Sequence, residues 1–189
     1  MAKIRKERKA KNKTPEKPQY HWILRIFLIS MALSIVLSLL SETALEGAGY
    51  ALAIGVLLLF ILLGIGFDII GVAVTAADVR PFHSMAAHKE KGAAEALSLL
   101  RNASHVSSFC NDVVGDICGI VSGSTAAIIV TRLERDLSTH NIFLSVLVTA
   151  VISGLTIGGK ALGKSIAMQN STGVVHTVAR FMHIFHRAR

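Results

Sequence analysis

The chain has 189 residues, enough for one domain or one compact bundle, and 52% of them are hydrophobic. The apolar residues lie in long blocks and the formal net charge of +8 gathers between them, a pattern that argues against a soluble fold and for a membrane protein. Cys110 and Cys118 fall eight residues apart in one apolar run, which fits neither a zinc spacing nor a disulfide framework; they read as small packing residues.

Residues 1–21 form a basic tail, in which Lys3, Arg5, Lys6, Arg8, Lys9, Lys11, Lys13 and Lys17 stand against Glu7 and Glu16. Such an arm can bind nucleic acid. Trp22 and a long apolar run follow directly, which favours a cytoplasmic tail that touches anionic lipid and fixes topology; no nucleic-acid partner is expected. A basic region before an apolar run also fits a cleaved signal peptide loosely, but the run is too long and no small-x-small site follows it at once.

A transmembrane domain is expected over 22–171. Its first span covers about 22–40, with its only charge, Arg25, near the start where it can snorkel. The second, about 49–74, contains Asp68. A helix rich in Ala, Leu, Glu and Lys follows Pro81 over about 82–100. The third span is about 106–130 and the fourth about 142–163. The first three reach the roughly 20 residues that a helical span needs; the fourth is shorter. Residues 172–189 form an amphipathic helix with Val174, Val175, Val178, Phe181, Met182 and Phe185 on one stripe, opposed by His176, Arg180, His183 and Arg187. A basic amphipathic helix of this kind lies in the membrane interface.

The distribution of Lys and Arg orients the chain. The first connection carries Glu42 and Glu46 and no base, whereas the second carries Arg80, Lys89, Lys91 and Arg101. The third is balanced, and Lys160, Lys164, Arg180, Arg187 and Arg189 load the C-terminal segment. Four crossings with both termini cytoplasmic gather the basic segments on one side of a plasma membrane. The expected fold is thus an all-α integral membrane protein: a four-span bundle with a cytoplasmic amphipathic helix and a C-terminal interfacial helix.

Three carboxylates lie inside these spans: Asp68, Asp112 and Asp116. An ionised group in hydrocarbon costs several kcal/mol, on the order of 3 by insertion scales, so it normally faces a cavity, a partner or an ion. Asp112 and Asp116 share a helix face, Ser107, Ser108 and Asn111 add oxygens nearby, and Asp68 could approach them in a bundle. Such oxygens suit hard cations such as Mg²⁺. The alternative is pairing with Lys160 or Arg25, or bonding to backbone at a helix end. Gly115, Gly119 and Gly123 form a small-residue row for close helix approach. Gly158 and Gly159 would permit a break in the last span, beside Lys160 as a balancing charge. The eight histidines offer no zinc set, and with no phosphate loop, nucleophile elbow or Ser/His/Asp arrangement, no enzyme activity is expected.

The order of segments is similar to a known family. "FDIIGVAVTAADV" ends a span, "KEKGAAEALSLLRN" follows on the amphipathic helix, "HVSSFCNDVVGDICG" opens the next span, and "GGKALGKSIA" ends the last. From about Gly66 to Phe185 this resembles the transmembrane domain of the CNNM/CorC magnesium and cobalt transporters, especially short CorB-like proteins. The resemblance implies a homodimer that moves a divalent cation such as Mg²⁺ by secondary transport. It also implies three spans, a juxtamembrane helix and regulatory CBS domains, whereas this chain has an additional first span and shows no CBS pair. Asp68 stands where the family often has serine and Gly71 where it has glutamate. The paired asparagines of the family fall near Val114 and Gly115, its Glu and Pro at Thr156 and Gly159, and Lys160 is retained. "SETAL" at Ser41 to Leu45 matches a family motif but lies on the opposite membrane side. A non-transporting adaptor that keeps the fold and recruits partners or lipid is the alternative function.

Overall fold

The structure, a computed structural model, describes residues 20–47, 49–136 and 142–187. Most of the basic tail and residues 137–141 of the third connection lie outside the described residues. Among those described, every regular element is a helix. Four are long and apolar enough to cross a membrane: α1 (Tyr20–Leu45), α2 (Tyr50–Ala76), α5 (Ala103–Asp136) and α6 (Ile142–Gln169). At 1.5 Å per residue even the shortest spans roughly 39 Å, more than the ~30 Å hydrocarbon core. Between α2 and α5 lie two short helices, α3 (Arg80–Ala87) and α4 (Ala93–Arg101), and α7 (Ser171–Arg187) ends the described chain.

The helix expected over 82–100 is therefore two helices. Lys89 (φ 57°) and Gly92 (φ 88°) both adopt left-handed backbone between them, a conformation that ends a right-handed helix. Span boundaries also move outward. The fourth helix runs unbroken through Gly158 and Gly159 to Gln169, so its hydrophobic length is not short.

Contacts fix the direction of each span. Trp22 packs its ring 5.0 Å from that of His105, while Ser41 meets Thr125 at 3.0 Å, so α1 and α5 run the same way. Gly64 lies against Cys118 and Gly71 against Asn111, so α2 runs opposite to α5. Gly159 and Gly163 receive Ile65 and Ile69, so α6 runs with α2. The result is an up-down-up-down bundle with α2 and α5 at its centre.

The remaining two spans flank that pair. On α1, Ile26, Leu33 and Leu37 repeat at helical spacing and pack on Phe60, Val113, Val114, Ile117 and Val121. On the other side α6 lies along α2, where the two glycines let the helices approach until Ile65 and Ile69 fill the space of missing side chains. The outward faces of α1 and α6 present Leu24, Phe27, Phe143, Val151, Leu155 and Leu162, exposed apolar side chains of the kind a bilayer covers.

The short helices gather at one end as a platform. Phe82, Ala96, Val175 and Ala179 are fully buried against Ala73, Val74 and Ala167. The stripe of α7 is therefore shared: Val175 turns into the protein, while Phe181 and Met182 are exposed. Gly92 abuts the α7 backbone, where an added Cβ would lie 2.9 Å from the Arg180 nitrogen. His183 Nδ1 and Glu95 Oε1 meet at 2.7 Å beside that contact. At the opposite end Arg132 donates to the Leu45 carbonyl at 2.7 Å, and Tyr50 donates to Asp136 at 2.5 Å.

Candidate functional site

On α2, Gly64, Asp68 and Gly71 follow one another at i, i+4 and i+7, and all three are buried. The two glycines touch α5, so this face of α2 is pressed against its neighbour and carries Asp68 between them. Asp68 is only 4% exposed. Its Oδ2 lies 3.6 Å from Lys164 Nζ of α6, too far for a charge-assisted hydrogen bond, and accepts no hydrogen bond from any other group.

A second orphan oxygen lies close by on α5. Asn111 points its amide directly over Gly71, where an added Cβ would fall 2.1 Å from Oδ1. Its Nδ2 donates to Ser107 Oγ at 3.3 Å, one turn earlier on the same helix. Its Oδ1 is sealed from solvent without a partner. Buried oxygens are nearly always bonded, so two unsatisfied ones on one helix contact mark a place with a use for them.

The backbone here is also unusual. Residues Phe109–Gly115 of α5 form a π-helical segment, a geometry that recurs at functional sites. Lys160 of α6 reaches into it and donates to the Gly115 carbonyl at 3.4 Å. Lys160 and Lys164 are one turn apart, so α6 presents two ammonium groups to the polar seam: one to a carbonyl of α5, the other to the carboxylate of α2.

The three aspartates do not meet. Among the described residues no three His, Cys, Asp or Glu side chains come close enough to hold a metal ion. Asn111, Val114, Gly115 and Cys118 take the inward positions on α5, which turns Asp112 and Asp116 to its exposed side. Ser108 is half-buried. Of the glycine row, Gly115 lies within 3.8 Å of Lys160 measured from an added Cβ, whereas nothing lies within 4 Å of those of Gly119 and Gly123. Gly158 is likewise open, and Gly159 packs on Ile65 within an unbroken helix.

Two participants carry little signal in the sequence. Lys164 reads there only as loop-side charge, although its i+4 spacing from Lys160 places both on one face. Gly71 carries no chemistry of its own and is visible only once Asn111 is seated on it. Comparison with protein-family models, curated proteins and solved structures finds no match to this chain. The chemistry of the seam therefore rests on its own residues.

Proposed function

We propose that this protein is an integral membrane transporter of hard cations, with Mg²⁺ and Co²⁺ as the leading substrates, in keeping with the CNNM/CorC-like order of its segments. The observation that carries the reading is Asp68: a carboxylate buried at a three-helix junction of a four-span bundle, with an oxygen that accepts no hydrogen bond. An intramembrane carboxylate is costly and is kept for ion or proton movement. The Asp68 carboxylate, the Asn111 amide oxygen and the Ser107 hydroxyl are hard oxygen donors of the type that holds a partly hydrated Mg²⁺. In this reading transport is secondary, driven by an ion or proton gradient.

The excess of Lys and Arg around the platform supports a reading in which that end, with both termini, faces the cytoplasm of a plasma-membrane protein. The remaining stripe of α7 lies in the interface. The outward carboxylates Asp112 and Asp116, beside the open Gly119 and Gly123, favour a homodimer that covers this face of α5. The adaptor reading draws on the platform, where Phe181 and Met182 of α7 stay exposed.

Uptake of Mg²⁺, with Co²⁺ and Na⁺ in parallel, into proteoliposomes distinguishes the two. Transport predicts uptake above empty liposomes for the intact chain and loss of it in Asp68→Asn. Intact protein that moves none of the three ions overturns the transporter and leaves the adaptor. Unchanged uptake in Asp68→Asn, with loss in Asp112→Asn or Asp116→Asn, moves the path to the outer face of α5.

A further inference from the structure

We propose that Lys164 is a tethered competitor for the transported cation: its ammonium occupies Asp68 in the ion-free state and must leave before a cation can bind. The inference rests on reading Asp68 as the cation-binding carboxylate.

The pair is unequal. The Asp68 side chain is 6% exposed and that of Lys164 is 51% exposed, so the carboxylate is enclosed while the lysine enters from outside. Lys164 lies five residues before Gln169, the end of α6, which is roughly 7.5 Å of helix. A four-carbon stem can cover much of that distance by snorkelling to the interface. The lysine thus has two favourable positions, inward on the carboxylate and outward in the headgroup region. Asp68 has no alternative, because its helix face is held against α5 by Gly64 and Gly71.

The separation of 3.6 Å is consistent with a removable partner. It provides electrostatic attraction without the shorter directional bond of a fixed salt bridge. Lys160 differs in its partner: it donates a long bond of 3.4 Å to the Gly115 carbonyl and makes no ion pair within 4.0 Å among the described residues. A cation bound to Asp68 Oδ2 would sit beside the Lys164 ammonium, and two like charges at such separation repel strongly in a medium of low dielectric. Cation entry therefore expels the ammonium, and its return helps release the cation. The site alternates between two occupants and is never left as a bare buried carboxylate.

If the lysine is outward in about a tenth of molecules, removing it tightens the apparent Kd roughly tenfold. The test is isothermal titration of MgCl₂, with CoCl₂ in parallel, into the purified full chain in detergent. Lys164→Met is expected to bind with a Kd roughly tenfold lower than the intact protein, and Lys164→Arg close to it. In proteoliposomes Lys164→Met should fill its site yet turn over more slowly, because release loses its assistance. Lys164→Gln, which keeps a polar stem, is expected to behave like Lys164→Met and serves if the latter does not fold; circular dichroism and gel filtration report folding. Equal or weaker binding in the folded neutral variants overturns the competitor and leaves cation transport standing. Absence of binding in the intact protein and the neutral variants alike overturns the cation reading of Asp68 and the competitor together.

Discussion

The amide of Asn111 lies over Gly71, so close that a side chain at that position of α2 fits only if the amide moves. A Cβ there would fall 2.1 Å from Oδ1 and 2.7 Å from Cγ, and the amide would have to leave its bond to Ser107. Gly71→Ala is expected to destabilise the detergent-solubilised protein by about 1–3 kcal/mol, the usual cost of overpacking. Asn111→Ala removes the clash. The double variant should therefore be little worse than Asn111→Ala alone, a coupling that thermal unfolding of the four proteins measures.

A contrast between two glycine rows tests helix approach in the same way. At Gly163 an added Cβ meets Ile69 at 2.9 Å and Ile65 at 3.3 Å, whereas Gly119 and Gly123 have open space. Gly163→Val should loosen α6 from α2 and cost about 1–3 kcal/mol. Gly119→Ala and Gly123→Ala are expected to stay within about 0.5 kcal/mol in the isolated chain. Unfolding in mixed detergent ranks the three.

Much of the architecture is legible in the amino-acid sequence, because a bilayer constrains composition more tightly than water does. Long apolar runs have few alternatives to spanning helices, and the four spans lie where the runs are. Helix rotation is what the pattern hides. Gly115, Gly119 and Gly123 on α5 and Gly159 and Gly163 on α6 carry the same spacing, yet both glycines on α6 meet a neighbour and only Gly115 does so on α5. Asp112 and Asp116 share a face, as their spacing requires, but periodicity does not say whether that face points inward. Asn111 and the π-helical segment decide it, and neither has a signature that spacing alone would detect. The pairing of Asp68 with Lys164 is hidden for a similar reason: once the lysines share a face, only the height of α6 against α2 selects between them.

At the end of the bundle away from the platform, a hydroxyl pair ties the outer span to the core. Ser41 and Thr125 meet at 3.0 Å in a fully buried position, and Thr125 also donates to the Val121 carbonyl at 2.9 Å. Interhelical bonds of this kind within membranes are worth about 0.6 kcal/mol on average and about 1.7 at most. Thr125→Val keeps the shape and should cost an amount in that range. Ser41→Ala should cost a similar amount and add little to it, which a double-mutant cycle in unfolding experiments checks. Full additivity would mean that the two hydroxyls do not interact.

The platform makes the sharpest demand on a single backbone position. Gly92 has φ 88°, where other residues are strained, and its missing Cβ leaves room for the α7 backbone: an added Cβ would fall 2.9 Å from the Arg180 nitrogen and 3.1 Å from the Ala179 carbonyl carbon. Backbone cannot rotate aside as a side chain can, so Gly92→Ala must push α7 away from α4 or change the turn. That separation would expose Val175 and Ala179, which are completely buried against Ala96 and Val74. His183→Ala removes the contact with Glu95 at 2.7 Å and leaves Val175 and Ala179 in the apolar seam. Hydrogen exchange over 171–187 is therefore expected to rise strongly in Gly92→Ala and only modestly in His183→Ala. The reverse order would place the His183 contact, and not the close backbone approach, as what holds α7 to the platform.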